Sequence, residues 1–442
     1  MDQQGIGRPF GPEPEEEKGN GARWRWRPPT VEIKPLTFRL CEAVQYMKCA
    51  VVVVSFLKAR ARLAAGSGSR AKYVCDLSDK AETKNMIITS TPLRISFFGG
   101  GTDYPVWYRE HGGAVLATTI NKSCYITCRS LPPFFEYHSR ISYTKVENVN
   151  SNDAIEHPSA RGCLRFLGIS DGVEIHHVAD LPARTGLGTS SAFTVGLLLG
   201  LYALKNQMRD KHALASDAIF VEQHVLEEAV GSQDQVSAAY GGFNRINFHS
   251  DQAIEVKRVL TPPERLAELE QHLALYFTGF SRTASEIAKA QIKVTPQRRR
   301  ELELMRQMVD EAEAIVTNMN RPLEEFGRLL HEGWTVKRTL TQNISNSSID
   351  EIYEAGRSAG ATGGKLLGAG GGGFMLFFVR PEQREILRAR LKKLLCIPFS
   401  FSSRGSHVVL YEPEEVYDKS LTEERSLVYA QSSQSAASGT AA

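Results

Sequence analysis

The 442-residue sequence has no paired cysteines and no long run of strongly hydrophobic residues. Its apolar stretch Cys49–Leu57 is too short to cross a bilayer, and it lies too far from the start, behind acidic residues, for a signal peptide. The seven cysteines form neither a CxxC pair nor a zinc-binding spacing. These absences argue against a membrane protein, a disulfide scaffold and a zinc site. An odd, scattered set of cysteines favours the cytoplasm.

Most of the chain also has little net charge. Residues 1–85 contain 15 Lys and Arg against 10 Asp and Glu, whereas residues 86–442 contain 38 against 40. A nucleic-acid-binding surface needs a concentration of basic residues, which this balance does not support. His224 and the pair His176-His177 have no partners at metal-ligand spacing. We therefore expect small-molecule partners, with no nucleic acid and no membrane.

Composition divides the chain into four parts. Residues 1–85 are rich in Gly, Pro and Glu near their start and carry no motif, so we expect a disordered or non-native extension. Strand-like and helix-like segments alternate after it and predict two domains, over 86–262 and 263–425. Residues 426–442 are rich in Ser and Ala, which predicts a disordered tail.

Hydrophobic periodicity indicates several elements. Strands are expected over Ala114–Ile120 and Ser123–Cys128, with both cysteines of the second strand in the core. A helix is expected over Leu214–Glu228, and Ser348–Glu351 resembles a capping box at the start of another. A further helix is predicted by an apolar stripe at Leu302, Met305, Met308, Val309, Ala312, Ile315, Val316 and Met319.

The standard phosphate-binding motif GxxxxGK[ST] is absent. Its nearest approach is Gly364-Lys365, but Ala359 stands in place of the first glycine and Leu366 in place of Ser or Thr. A bound nucleotide therefore requires another loop.

The segment Leu181–Ala192 offers such a loop. It follows the strand-like segment Val173–Val178 and continues directly into an apolar helix. Gly186 and Gly188 allow a tight turn and a close approach to an anion. The helix N-terminus at Thr189–Ser191 supplies hydroxyls and free N–H groups where negative charge is favoured. The alternative is a capped helix after an ordinary glycine turn.

Two further glycine segments accompany this loop. Thr91–Asp103 is a strand that ends in three glycines and an acidic residue, and Lys365–Phe374 precedes the strand Met375–Val379. Gly368–Gly373 matches the pattern GxGxxG of dinucleotide-binding folds. That pattern must open a helix after a strand, whereas here it opens a strand, so a dinucleotide site is rejected.

In this order, the three segments resemble the signature motifs of the GHMP kinases (galactokinase, homoserine kinase, mevalonate kinase and phosphomevalonate kinase). The resemblance extends from about Met86 to Val379. Gly100-Gly101 stands where galactokinases have Glu-His, which favours the sugar-phosphate branch. Together with Leu181–Gly188, the segments Gly231–Val236 and Tyr240–Asn244 are most similar to bacterial D-glycero-D-manno-heptose 7-phosphate kinases. Arg184 departs from the glycine of many members.

The resemblance implies an α+β fold with two domains. The first is expected to resemble ribosomal protein S5 domain 2, with a left-handed βαβ crossover, and the second to be ferredoxin-like. It implies ATP and Mg²⁺ as cofactors and transfer of phosphate to the C1 hydroxyl of a heptose 7-phosphate, by a monomer or homodimer. The alternatives are another sugar 1-kinase, such as a fucokinase or galactokinase, and a non-catalytic sugar- or ATP-binding regulator.

The resemblance also assigns roles to individual residues. Asp234 would take the proton of the attacking hydroxyl or favour its loss, and Arg94 would stabilise that carboxylate and the transition state. Ser191, or its neighbour Ser190, and Glu222 would hold Mg²⁺. The alternatives are a turn-capping role for Asp234 and a surface location for Glu222.

The remaining expected contacts form three groups. The nucleotide site comprises Pro182, Arg184, Gly186, Leu187, Gly188, Thr189, Ser190, Ser191 and Ala192. The substrate site comprises Asp103, Gly100, Gly101, Gly370, Gly371 and Gly372. A substrate phosphate distant from the transfer site needs cations, for which the candidates are Lys122, Arg161, Arg245 and Arg282.

Overall fold

The computed structural model describes residues 84–132, 134–183, 185–279 and 284–414. Arg184 and Arg282 lie outside these ranges, as do the expectations for residues 1–83 and for the tail at 426–442.

Strands and helices are interspersed along the described chain. The strands are β1 (Lys84–Phe98), β2 (Gly113–Ser130), β3 (Ser139–Ser142), β4 (Val146–Val149), β5 (Val173–Ala179), β6 (Phe243–Phe248), β7 (Ile254–Arg258), β8 (Leu273–Gly279), β9 (Ala361–Leu366), β10 (Gly373–Val379), β11 (Leu395–Ile397), β12 (Phe401–Ser402) and β13 (His407–Glu414). The α-helices are α1 (Pro105–His111), α2 (Pro158–Phe166), α3 (Thr189–Leu204), α4 (Lys211–Phe220), α5 (Gln233–Tyr240), α6 (Pro263–His272), α7 (Ala284–Val294), α8 (Arg299–Thr317), α9 (Glu324–Arg338), α10 (Ser347–Ser358) and α11 (Arg384–Arg390).

Two sheets organise these elements within one compact unit. The larger has the order β13-β1-β2-β5-β3-β4, and β2 also pairs with β6 and β12, while β6 pairs with β7. The smaller has the order β11-β8-β10-β9 and is antiparallel throughout. β12 and β13 thus return from the C-terminal half to the first sheet. β3 and β5 pair in parallel, which requires a crossover connection; its expected left hand stays a prediction.

Strand β2 is one element where the sequence predicted two. Its first half pairs with β6 over Gly113–Thr118, and its second half pairs with β5 over Cys124–Ser130. A single 18-residue strand therefore serves two partners in succession. The prediction that Cys124 and Cys128 lie in the core is confirmed, since both are fully buried.

Helix α3 packs directly on the first sheet. Of its 16 residues, 12 are buried, as expected of a helix that is apolar all round. A Cβ on Gly196 would lie 2.6 Å from Thr91 Oγ1, and one on Gly200 would lie 2.6 Å from Cys128 Sγ. These close approaches fix the helix on the sheet and thereby fix the position of its N-terminus.

The helix expected over Leu214–Glu228 is wrong in its second half. Helix α4 ends at Phe220, and one π-helical turn follows over Val221–Val225. Single π-helical turns are frequent at functional sites. Here the turn carries Glu222.

Two other local expectations need adjustment. The capping box at Ser348–Glu351 is wrong, because Asn346 caps α10 by accepting a hydrogen bond from Ile349 N at 3.0 Å. The apolar stripe of α8 is buried as predicted except for Met319, which lies beyond the helix end and is 52% exposed. Within the described ranges, every helix is too short or too polar to cross a membrane.

Candidate active site

A cavity of about 1000 Å³ brings most of the predicted site residues together. Its wall includes the loop before α3, the end of β1, the start of α5, and side chains of α7 and α9. The predicted residues that line it are Arg94, Gly100, Gly101, Asp103, Gly186, Gly188, Thr189, Ser190 and Asp234. Some predicted site residues do not line the cavity. Four of them are buried, namely Leu187, Ser191, Ala192 and Glu222, and Pro182 is exposed.

The loop that leads into α3 is shaped by its backbone. Gly186 and Gly188 have φ angles of 82° and 74°, a region that favours glycine. Leu187 O accepts a hydrogen bond from Arg94 N at 3.0 Å, which ties the loop to β1. Gly188 is the N-cap of α3, so no side chain there caps the helix.

The N-terminus of α3 therefore presents polar groups to the cavity. The first N–H groups of a helix have no intrahelical partner, and the macrodipole favours an anion at this end. Thr189 Oγ1 is buried and has no hydrogen-bond partner among the described residues. Thr189 and Ser190 both line the cavity. This arrangement can bind phosphate oxygens.

The second glycine loop packs against the first. A Cβ on Gly186 would lie 2.3 Å from Leu367 O, and one on Gly368 would lie 2.4 Å from Gly186 Cα. Gly373 approaches Thr185 in the same way, since a Cβ on Gly373 would lie 2.3 Å from Thr185 O. A side chain at any of these glycines would push the two loops apart, so the second loop supports the first from behind.

Three of the five glycines predicted to bind substrate, Gly370, Gly371 and Gly372, do not line the cavity. A Cβ on Gly370 would lie 2.7 Å from Ile344 Cα, Gly371 N donates to Ile344 O at 3.0 Å, and Gly372 is buried. This part of the loop is occupied by packing on the segment before α10. The residues of the loop that do line the cavity are Gly368 and Ala369.

Arg94 and Asp234 form a two-point ion pair in the cavity wall. Arg94 Nε donates to Asp234 Oδ1 at 2.8 Å, and Nη2 donates to Oδ2 at 2.7 Å. Arg94 Nη1 also donates to Gly186 O at 2.6 Å, so the same guanidinium joins the carboxylate to the phosphate loop. The Asp234 side chain keeps 25% exposure. Its oxygens have lone pairs beyond those used by Arg94, and Asp234 can accept a hydroxyl proton from the cavity.

Local backbone features aim both members of this pair. The pairing of β1 with β2 shifts register between Pro92 and Arg94 and again between Ser96 and Phe98. Such irregularities re-aim side chains and are common beside active sites. Asp234 is the second residue of α5, where the helix dipole stabilises a carboxylate.

Asp103 is a buried carboxylate on the same side of the cavity. It is 2% exposed, and its Oδ1 accepts from Gly101 N at 2.9 Å. Burial raises the pKa of Asp103, and the nearby charge of Asp234 adds to this effect. A Cβ on Gly231 would lie 1.9 Å from Asp103 Oδ2, so Gly231 must lack a side chain. The carboxyl group is thus positioned firmly and is suited to a polar substrate group.

Glu222 and Ser191 lie together outside the cavity lining. Ser191 Oγ donates to Glu222 Oε2 at 2.8 Å, and Gln235 Nε2 donates to the same oxygen. Glu222 is fully buried, and burial raises its pKa to about 7. Its Oε1 has no hydrogen-bond partner among the described residues. The two residues predicted to hold Mg²⁺ thus contact each other, while the metal role itself stays a prediction. The surface alternative for Glu222 is wrong.

This pair suits Mg²⁺ in its donor chemistry. Mg²⁺ prefers oxygen ligands and takes few of them from protein when phosphates and waters supply the rest. The unpaired Glu222 Oε1 and the Ser191 hydroxyl provide such oxygens. In the part of the chain that the structure describes, no cluster of three or more His, Cys, Asp or Glu residues could hold a metal by itself.

Three lysines line the cavity although the sequence analysis assigned none of them to the site. Lys337 on α9 is buried and donates to Gly368 O, and burial lowers its pKa to about 8. Lys365 on β9 donates to the carbonyls of Ser96 and Phe97, at 2.8 Å each, and burial lowers its pKa. Lys289 on α7 is exposed, and no partner for it is found within the described ranges.

Three of the four basic residues considered for a distal phosphate do not line this cavity; the fourth, Arg282, lies outside the described residues. Arg161 donates to Ile155 O, and Arg245 pairs with Asp310 at 2.7 Å and Glu313 at 2.8 Å. Neither these residues nor Lys122 line the cavity, so the structure does not bring these three candidates to it. Any distal phosphate in this cavity has Lys289 as its most accessible cation.

Another part of the cavity is aromatic. His157 stacks on Phe193 with centroids 4.6 Å apart, and His177 meets Phe193 edge-on at 5.1 Å. Burial lowers the pKa of His177 to about 4, and its Nε2 has no hydrogen-bond partner among the described residues. Tyr143 lies at the same part of the wall. These neutral rings, beside the phosphate loop, suit a planar ligand group.

Comparison with known proteins identifies the family. The model described as "GHMP kinases N terminal domain" matches residues 157–242, and "GHMP kinases C terminal" matches residues 298–395. The chain is 31% identical over 340 residues to D-glycero-alpha-D-manno-heptose 7-phosphate kinase from Campylobacter jejuni, covering 72% of this chain and 97% of that enzyme. This chain belongs to the GHMP kinase family. It is an ATP-dependent phosphotransferase with an alcohol group as acceptor.

One further curated relative and one solved structure are also similar to this GHMP kinase. The bifunctional fucokinase/GDP-fucose pyrophosphorylase of Arabidopsis thaliana is 28% identical over 336 residues, 68% of this chain but 31% of that longer protein. The crystal structure of a D-glycero-D-manno-heptose 1-phosphate kinase from Bacteroides thetaiotaomicron matches with a TM-score of 0.59 and 24% identity, covering 75% of this chain and 100% of that one. The likeness confirms the expected α+β fold.

Proposed function

We propose that this GHMP kinase transfers the γ-phosphate of ATP to the C1 hydroxyl of D-glycero-D-manno-heptose 7-phosphate. The observation that carries the proposal is the placement of Asp234. Its partly exposed carboxylate is paired with Arg94, which also contacts the phosphate loop, while Asp103 and the phosphate loop line the same cavity. A hydroxyl beside Asp234 is therefore close to both an acidic sugar-binding group and the phosphate donor.

The reaction needs positioning and charge stabilisation more than covalent chemistry. The acceptor oxygen forms a bond to the γ-phosphorus, the bond from that phosphorus to the β,γ-bridging oxygen breaks, and ADP carries away its electron pair. The acceptor proton goes to Asp234. Arg94 offsets charge on both the carboxylate and the transferred group. An anomeric hydroxyl is more acidic than an ordinary alcohol, which makes a carboxylate an adequate base.

The phosphates and the base of ATP would bind at different parts of the cavity. The N–H groups at the start of α3 and the Thr189 hydroxyl bind the phosphates, with Lys337 as an additional cation. The aromatic wall at His157, His177 and Phe193 suits the base. Mg²⁺, when bound, offsets phosphate charge, and Ser191 and Glu222 would hold it.

Similarity to one relative and the position of one cation support this choice of acceptor. The Campylobacter relative is named for a heptose 7-phosphate, and the chain matches 97% of its length. A 7-phosphate carries about −1.5 to −2 charge at neutral pH by analogy with other phosphate monoesters. Lys289 lines the cavity without a partner among the described residues and can pair with that charge. Cytoplasmic location and a monomeric or homodimeric state stay predictions.

A free-sugar 1-kinase is the second candidate, and the match to the plant fucokinase favours it. Such an enzyme shares Asp234 and Arg94 but has no need of Lys289. The two candidates therefore differ in their dependence on one side chain.

An acceptor panel tests the proposal. ATP consumption is measured with the heptose 7-phosphate, the same heptose without phosphate, the heptose 1-phosphate, fucose and galactose. We expect the heptose 7-phosphate to give the highest kcat/KM, and Lys289→Met to raise its KM while leaving the KM of the unphosphorylated heptose unchanged. A higher kcat/KM with fucose or galactose would assign the protein to the second candidate.

A further inference from the structure

Gly100 leaves an open space between two polar side chains. A Cβ on Gly100 would lie 3.7 Å from Gln233 Nε2 and 3.8 Å from Ser96 Oγ, both ordinary contact distances. The backbone of Gly100 has no positive φ angle, unlike that of Gly101 at 108°. Neither crowding nor backbone geometry therefore requires a glycine at position 100. The main effect of a glycine at this position is therefore a gap in the cavity wall.

The two side chains around this space have unsatisfied polar atoms. Ser96 Oγ and Gln233 Oε1 are buried and have no hydrogen-bond partner among the described residues. Their residues are 7% and 9% exposed, and both line the cavity. Buried polar groups are nearly always paired, because leaving them unpaired costs free energy. Ser96 Oγ borders the gap itself, and Gln233 borders it through Nε2, so each unpaired oxygen belongs to a side chain at the gap. A ligand group that enters the gap can complete both.

Both side chains lie next to residues assigned to the transfer reaction. Ser96 follows Arg94 by two positions on β1, and Gln233 precedes Asp234 in the first turn of α5. Gln233 N also lies 3.4 Å from Asp103 Oδ2. The gap is therefore held by the same two elements that position the ion pair, and a group bound there is fixed relative to the reacting hydroxyl.

We propose that Ser96, Gly100 and Gln233 form a subsite for one non-reacting hydroxyl of the acceptor sugar, and that this subsite contributes to acceptor specificity. Gln233 Oε1 accepts the hydrogen of that hydroxyl, and Ser96 Oγ donates to its oxygen. Gly100 provides the room. Both side chains act as positioning residues, since they bind a hydroxyl that does not react. The inference rests on the proposed sugar-kinase function but not on the identity of the sugar.

Three variants test the subsite. Ser96→Ala and Gln233→Leu each remove one partner, and Gly100→Ala fills part of the gap without a backbone or packing conflict. We expect each to raise the acceptor KM about 3- to 10-fold, the range for one neutral hydrogen bond, with the ATP KM unchanged. Ser237→Ala is the control, because Ser237 Oγ is also buried and unpaired on α5 but does not line the cavity.

Monodeoxy analogues of the acceptor identify the hydroxyl. The wild-type protein and the Gln233→Leu variant are compared on each analogue of whichever sugar the acceptor panel shows to be used best. We expect one analogue to lose affinity with the wild-type protein and to show no further loss with the variant. If the variant raises the KM of every analogue by the same factor, or raises that of none, the subsite is refuted. Lack of turnover with the heptose 7-phosphate refutes the proposed substrate and leaves this comparison intact.

Discussion

The two ends of the cavity are built in different ways. At the phosphate end, the loop before α3 and the second glycine loop touch through backbone atoms, and their glycines have positive φ angles. At the acceptor end, the side chains are buried or half-buried and come from separate segments. Arg94 lies on β1, Asp103 in the loop after it, and Gln233 and Asp234 on α5. The phosphate end therefore depends on chain shape, and the acceptor end depends on side-chain chemistry.

This difference has a functional meaning. Backbone N–H groups bind any triphosphate in the same way, so a shape-based site suits a common donor. Selection among sugars requires polar groups that are satisfied by one acceptor and left unpaired by another. We expect substitutions at the acceptor end to change the rate of transfer or the choice of sugar. Substitutions at the phosphate end should instead change the use of ATP.

The largest expected effect is at Asp234. Asp234→Asn removes the proton acceptor and half of the ion pair, and we expect kcat to fall by about 100-fold or more, from the range of general-base contributions. The KM for ATP should stay near that of the wild-type protein. Steady-state kinetics with varied ATP measures both values.

The control for this variant is Asp180→Asn. Asp180 accepts a hydrogen bond from Ser123 N at 2.8 Å and does not line the cavity, so its kinetics should be unchanged. A thermal melt checks that both variants are folded. Wild-type turnover by Asp234→Asn would remove Asp234 from the reaction.

The next effect concerns the shape of the phosphate loop. Gly186→Ala places a methyl group where Leu367 O is 2.3 Å away, so the two glycine loops must separate. We expect kcat/KM for ATP to fall at least about 10-fold, which corresponds to about 1.4 kcal/mol. Titration with a non-hydrolysable ATP analogue measures the loss of binding directly.

Gly168→Ala distinguishes the effect of the loop contact from the effect of a positive φ angle. Gly168 also has a positive φ, 62°, but no atom lies within 4 Å of a built Cβ. That variant should lose about 1 kcal/mol of folding stability from the backbone conformation alone and keep its ATP affinity. Equal loss of ATP affinity in both variants would contradict the role given to the loop contact.

A smaller effect is expected for the proposed metal ligand. Glu222→Gln keeps the size of the side chain but removes its charge, and we expect the Mg²⁺ concentration for half-maximal activity to rise about 10-fold. Glu174→Gln is the control, since Glu174 is a mostly buried carboxylate paired with Arg129 at 2.7 Å and lies away from the cavity. An unchanged Mg²⁺ requirement in Glu222→Gln would place the metal elsewhere.

The smallest effect depends on pH. Burial lowers the pKa of Lys337 to about 8, with Arg94 adding to the effect, so its charge is present below that pH and is lost above it. We expect kcat/KM for ATP to decline as the pH rises through about 8. Lys337→Met should show a few-fold lower value at pH 7 and should lack this decline. A decline that persists in the variant would belong to another group.

The sequence predicted the turn of the phosphate loop better than it predicted the side chains that tertiary packing brings to the cavity. Gly186, Gly188 and the hydroxyls after them form a local pattern whose geometry follows from backbone rules. Lys337 gives no such signal, because it lies within an ordinary amphipathic helix and reaches the cavity only through packing of α9. The same holds for Gln233, which is one polar residue beside the more recognisable Asp234.

Other errors also arise from tertiary contacts. The sequence cannot show which glycines of the second loop face the cavity, since Gly370 and Gly371 are directed to Ile344 by packing of the segment before α10. The sequence also cannot show that Arg245 is already paired, because Asp310 and Glu313 of α8 are brought beside it only by the fold. The fold class itself was predictable through the resemblance of three ordered motifs.

The identity of the phosphorylated product tests the central claim most directly. The protein is incubated with ATP, Mg²⁺ and D-glycero-D-manno-heptose 7-phosphate, and the product is analysed by ³¹P–¹H correlation NMR. We predict a second sugar-phosphate signal that is coupled to the anomeric proton, with the 7-phosphate signal retained. A new phosphate on any other carbon, or no new signal while fucose is phosphorylated under the same conditions, would contradict the account.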